Sequence, residues 1–178
     1  ATIGLCPTTE ANLGDGLFAL RAYQEAGGSW GVGTDSHVGR DPAHELRLLE
    51  YGQRLGTRSR NVAAGLRQRS TGRALLDAAW SGGAKACGRP VGALAPHLRG
   101  DIVVLDPDHP TLAGRSRDEV LDSWVFSGES TPVRHVFVGG RQVVHDGRHA
   151  EGEAVSARYR AAAREHGLGE PQLTMPLD

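Results

Sequence analysis

Apolar residues recur in short blocks along this chain, and the polar residues between them mark where elements end. Residues 1–5 form an apolar run closed by Cys6-Pro7, the pattern of a short buried parallel strand. Residues 8–16 are polar and read as a loop. A helix is predicted over 17–26, stopping at Gly27-Gly28, followed by a second strand over 30–34. This strand–loop–helix–strand unit is the repeat of β/α architecture. A closed barrel needs eight strands, and two are legible here.

Asp41-Pro42 opens the next helix, with Asp41 as cap and Pro42 where its missing N–H costs nothing. Ala43, Leu46 and Leu49 share one face at helical spacing, and Gly56 offers a stop. Ser70 or Thr71 caps a further helix carrying Ala74, Leu75, Ala78 and Ala79, predicted to end before Gly82-Gly83. From Pro90 the pattern turns to strands. Residues 101–106 make one, stopped by Pro107, and 133–138 with 141–144 make a hairpin around Gly139-Gly140. An arginine- and alanine-rich helix over 153–166 ends at Gly167.

Composition narrows the function classes. With 178 residues and a hydrophobic share of 39%, there is room for one ordinary domain or parts of two. A net charge of −1 argues against bulk attraction to nucleic acid or to anionic membranes. Arg54, Arg58, Arg60, Arg67, Arg69 and Arg73 lie between Tyr51 and Leu76 with no acid among them. Without interleaved aromatics this stretch reads as a solvated face, with a position beside an anionic substrate entrance open to it, rather than a nucleic-acid patch. No apolar run approaches the ~20 residues of a membrane helix. Cys6 and Cys87 make neither a disulfide framework nor a zinc spacing, which favours a cytoplasmic setting. His135, His145 and His149 cluster in the hairpin region without a ligand motif or a carboxylate constellation, so they read as surface histidines.

The candidate chemistry centres on Asp35, in Trp30-Gly31-Val32-Gly33-Thr34-Asp35-Ser36-His37. An acid at the C-terminal tip of a strand stands where parallel α/β folds carry their chemistry. It can bind a metal, accept a proton, or cap the following helix, a role open to Asp35 or Asp41. Thr8, Glu10 and Asn12 supply hydrogen-bonding groups upstream, although residues 12–16 also suit a turn capping the next helix.

The segments 4–16, 33–36 and 45–54 together resemble the C-terminal part of formimidoylglutamate deiminases, members of the metal-dependent amidohydrolase superfamily. The resemblance implies an α/β fold: the last part of an amidohydrolase (β/α)8 TIM-like barrel over 1–88, the second half of a composite β-sandwich over 89–150, and a C-terminal helix and tail over 151–178. It implies one divalent metal, Zn2+ by preference, with Asp35 as its last protein ligand and as the catalytic proton carrier. Ser36 would orient that carboxylate, and Thr8, Glu10, Asn12 and His37 would meet the substrate. The partner is a small-molecule substrate, with no nucleic acid and no membrane, and the full-length enzyme would be a homodimer.

The implied reaction is hydrolysis of the formimino group of N-formimidoyl-L-glutamate to N-formyl-L-glutamate and ammonia. An amidohydrolase acting on a purine-like or triazine-like amine is the alternative, and a non-catalytic remnant or interaction module a third reading. The family's His-x-His pair is absent, the first residue is Ala1 and the only methionine is Met175. The chain is therefore expected to be a C-terminal piece that holds only part of an active site.

Overall fold

The computed structural model describes residues 1–65, 68–128 and 130–167; Arg67 and the tail containing Met175 lie outside them. Two strands, β1 (Thr2–Leu5) and β2 (Ser29–Val32), pair in parallel with Thr2 opposite Ser29 and Leu5 opposite Val32. Between them run two short helices, α1 (Pro7–Leu13) and α2 (Leu20–Glu25).

Helix α1 replaces the polar loop expected over 8–16. Its residues lack an apolar period, but Pro7 occupies the first turn and the Glu10 carboxylate accepts from the Cys6 N–H at 2.8 Å. Gly14, at φ 76°, closes the helix in the left-handed conformation that glycine adopts without a Cβ clash. Residues 12–16 therefore end α1. They do not cap α2, which begins after Ala19 with no side-chain cap, three residues later than its apolar pattern suggests.

Helix α3 (Pro42–Thr57) starts as read, Asp41 Oδ1 accepting from the Ala43 N–H at 2.9 Å. Ala43, Leu46 and Leu49 enter the core with Trp30, Leu75, Leu76 and Val125. The carboxylate of Glu50, fully buried, accepts from the Val62 and Ala63 amides, each at 2.9 Å, and from Arg54 at 2.7 Å. That set of donors satisfies a charge that would otherwise be costly to bury.

Helix α4 (Thr71–Cys87) is capped by Ser70, whose hydroxyl accepts from the Arg73 N–H at 2.9 Å. It runs straight through Gly82-Gly83, where the sequence suggested a stop. A Cβ built on Gly82 would fall on the backbone of Trp30, and one on Gly31 would lie 3.1 Å from the Gly83 nitrogen. These glycines let α4 lie directly against β2, and that contact offsets their poor helix propensity.

The second sheet is antiparallel, ordered β3 (Ile102–Leu105), β4 (Val133–Val138), β5 (Arg141–His145), β6 (Arg148–His149). The Gly139-Gly140 turn joins β4 to β5 as predicted, both glycines at positive φ. A helix the sequence reading missed, α5 (Asp118–Phe126), lies between β3 and β4 in the chain and packs on α3 and α4. Arg47 on α3 holds its C-terminal end, donating to the Val125 and Gly128 carbonyls at 2.6 and 2.7 Å. Helix α6 (Gly152–Glu165) has no buried residue. Among the described residues no helix is long and apolar enough to cross a membrane.

Candidate functional site

Asp35 sits three residues beyond the end of β2, exposed, with φ 48°. The left-handed region is uncommon for a residue with a Cβ, and aspartate is among the few that tolerate it. Asp41 takes the capping role at α3, so Asp35 is not spent there. Among the described residues its carboxylate has no hydrogen-bond or ion-pair partner, which leaves its lone pairs free for a cation or a proton.

The turn that carries it is anchored from beneath. Thr9, buried on α1, donates from Oγ1 to the Thr34 carbonyl at 2.7 Å and accepts from the His37 N–H at 3.1 Å. The His37 amide also reaches the Thr34 carbonyl at 3.0 Å, closing the turn around Asp35 and Ser36. His37 Nδ1 accepts from the Gly39 N–H at 3.0 Å, so neutral His37 carries its proton on Nε2. Ser36 is exposed.

Helix α1 forms the facing wall. Thr8 is buried, its hydroxyl donating to Glu45 Oε1 at 2.5 Å and its amide to Oε2 at 3.0 Å. Glu10 is engaged with the Cys6 amide, and Asn12 is exposed in the last turn of α1. Of the polar groups on this helix proposed to meet substrate, Asn12 is the one without an internal partner among the described residues. Burial, then the nearby charges of Asp35 and Glu10, push the Cys6 thiol above its ordinary value, a Gly33 backbone hydrogen bond opposing them. Cys6 is therefore a protonated thiol near the Asp35 turn at neutral pH.

Thr9 and Glu45 escaped the sequence reading. A helical reading of residues 7–13 would have separated Thr8 and Thr9 by about 100° and sent them to different partners. Arg58, Arg60 and Arg69 are exposed, the solvated face expected of the arginine stretch, and Arg54, Arg60 and Arg69 join Arg115 around a cavity of about 420 Å3. Arg54 is paired with Glu50 and Arg73 with Asp77.

Known proteins match this chain over most of its length. The amidohydrolase family matches residues 1–143. A formimidoylglutamate deiminase from Pseudomonas aeruginosa is 51% identical over 158 residues, covering 89% of this chain and 35% of that protein. An amidohydrolase structure from Brucella melitensis superposes with a TM-score of 0.83 at 43% identity, covering 93% of this chain and 36% of that one. Atrazine chlorohydrolase TrzN from Arthrobacter aurescens TC1, complexed with zinc, gives a TM-score of 0.73 at 25% identity, covering 90% and 35%. The chain thus spans about a third of the length of these relatives. An α/β unit whose parallel strand leads into an unengaged carboxylate, matched over most of its length by one family, belongs to the amidohydrolase family.

Proposed function

We propose that this chain is the C-terminal part of a metal-dependent hydrolase acting on the C–N bond of an amidine, converting N-formimidoyl-L-glutamate and water to N-formyl-L-glutamate and ammonia. The observation that carries this reading is the 51% identity to the Pseudomonas deiminase, against 25% to the triazine hydrolase. Residues 1–88 are read as the last part of the barrel, 89–150 as the second half of a composite sandwich and 151–178 as a C-terminal helix and tail.

One divalent ion, Zn2+ by preference, fits the donor chemistry at Asp35, an exposed carboxylate with no internal partner among the described residues. When bound, such an ion lowers the pKa of its water to about 7. Asp35 supplies one of its protein ligands. The same carboxylate takes a proton at one oxygen during water attack and returns it to the departing ammonia, a shuttle its basicity suits. Thr9 fixes the turn, and Ser36, next to Asp35 in the chain and exposed, is the residue assigned to orient its carboxylate when a metal is bound. Asn12 and His37 Nε2 meet the polar atoms of the substrate, while Thr8 and Glu10 hold α1 as a rigid wall.

Ammonia release by the full-length parent tests the reading. Turnover of formimidoylglutamate far above that of a purine-like or triazine-like amine is expected. The reverse preference would assign the other substrate class, and release from neither would leave a non-catalytic role.

A further inference from the structure

The antiparallel sheet assembles a group of ligand-bearing side chains that the Asp35 chemistry does not use. His135 lies in the middle of β4, His145 ends β5, and Asp146 opens the turn into β6. Their metal-capable atoms all lie within 4.8 Å of one another. His145 Nδ1 is 3.3 Å from Asp146 Oδ2, and His135 Nε2 is 3.9 Å from Asp146 Oδ1. The two rings stand 5.1 Å apart, tilted by 42°. A tetrahedral ion with bonds of ~2.1 Å spaces its donor atoms by roughly 3.4 Å. The His145–Asp146 pair already has that spacing, and the His135–Asp146 pair is wider by about 0.5 Å.

The backbone favours the arrangement. Asp146 and Gly147 have φ 45° and 72°, a tight turn that holds the carboxylate above the end of the hairpin. His135 Nδ1 lies 3.2 Å from the Gln142 side-chain amide and accepts from the Asp146 N–H at 3.3 Å, so ligation through Nε2 moves the ring proton to Nδ1 and gives up the Asp146 bond. His149, grouped with the other two by sequence, takes no part; its Nδ1 accepts from the Glu151 N–H at 3.1 Å. Asp146 is the carboxylate the sequence reading found lacking.

A second interaction opposes the site. Arg134 Nε holds Asp146 Oδ1 at 2.9 Å, and its guanidinium keeps the carboxyl ionised, below the usual carboxylate range. Both side chains are about half exposed, so this pair is weak and leaves Oδ2 available.

We propose that His135, His145 and Asp146 bind a divalent transition-metal ion, Zn2+, Ni2+ or Cu2+, at the end of the β4–β5–β6 hairpins. Two imidazoles and one carboxylate suit these ions, with water completing the shell, and do not suit Mg2+ or Ca2+, which prefer all-oxygen sets.

Calorimetric titration of the 178-residue chain with ZnCl2 and NiCl2 tests this, with MgCl2 and CaCl2 as controls. The expected result is one equivalent bound that weakens at least about tenfold in His135→Gln and in His145→Gln. It persists in Asp35→Asn and tightens in Arg134→Gln, which frees the carboxylate. That gain separates a formed site from binding to an unfolded chain, which removing one guanidinium would not tighten. Equal affinity in the histidine variants, or no gain in Arg134→Gln, would overturn the proposal.

Discussion

Thr9 and His37 are joined across the candidate site by one buried hydroxyl, which accepts the His37 amide at 3.1 Å while donating to the Thr34 carbonyl at 2.7 Å. This bridge ties α1 to the turn that holds Asp35 in its left-handed conformation. It fixes backbone on both sides of the aspartate without touching the carboxylate, so the acid is positioned and still free to react.

Thr9→Val keeps the shape and removes both hydrogen bonds. The expected loss of stability is about 1–3 kcal/mol, the usual cost of leaving buried polar partners unmade. Amide exchange at His37 should accelerate more than exchange in α3, and Thr9→Ser should restore most of both. Unchanged exchange at His37 would mean that the turn holds itself.

The close contact of α4 with β2 gives a second prediction, with two effects opposed. Gly82→Ala would gain about 1 kcal/mol of helix propensity. The added Cβ, however, meets backbone at Trp30, which cannot rotate away as a side chain could. Overpacking costs typically 1–3 kcal/mol and more when backbone must shift, so packing wins. Urea midpoints should fall for Gly82→Ala and rise for Gly83→Ala, which gains the same propensity and whose Cβ would meet nothing within 4 Å.

Local chemistry was the legible part of this fold. The Asp41-Pro42 start of α3, the Ser70 cap and the Gly139-Gly140 hairpin depend on neighbours a few residues away, and each occurs as read. Helix α1 was hidden because its polar residues are satisfied from afar: Thr8 by Glu45, 37 residues on, and Thr9 by Thr34, 25 residues on. Gly82-Gly83 looked like a stop because the strand that needs Gly82 lies far upstream. Asp35 was legible from its place after a strand, whereas Thr9, which anchors its turn, carries no signal until α1 is known to be a helix. The hairpin histidines were visible, but Asp146 becomes their partner only through strand register.

Cys6 and Cys87 should react at different rates. Cys87 is exposed, while burial and the charges of Asp35 and Glu10 raise the Cys6 thiol. Iodoacetamide at pH 8 should therefore label Cys87 first, and Asp35→Asn should narrow the gap. The linked effect on stability has a definite sign. Because the folded value is raised, the unfolded chain sheds this proton first. The contribution is complete below the unfolded thiol pKa of about 8.5 and is lost as pH climbs through the folded value. Urea midpoints should thus decline more steeply above pH 8.5 in the unsubstituted chain than in Cys6→Ala.

Asp35 itself is tested in two settings. In the full-length parent, Asp35→Asn preserves size while removing the charge and the ability to carry a proton. Turnover should fall by at least ~10²-fold, the scale of losing a general acid–base group, with weaker metal retention measured in parallel. Near-normal turnover would reduce the aspartate to a turn residue. In the 178-residue chain alone, deamination of formimidoylglutamate should be undetectable even with added Zn2+. A catalytic zinc site draws on three protein ligands, and the Asp35 turn supplies one carboxylate. The hairpin site proposed above lies on a different sheet and should not substitute for it. Metal-dependent ammonia release from this chain, abolished by Asp35→Asn, would show that one aspartate and its near neighbours suffice, and that the division of labour drawn here is wrong.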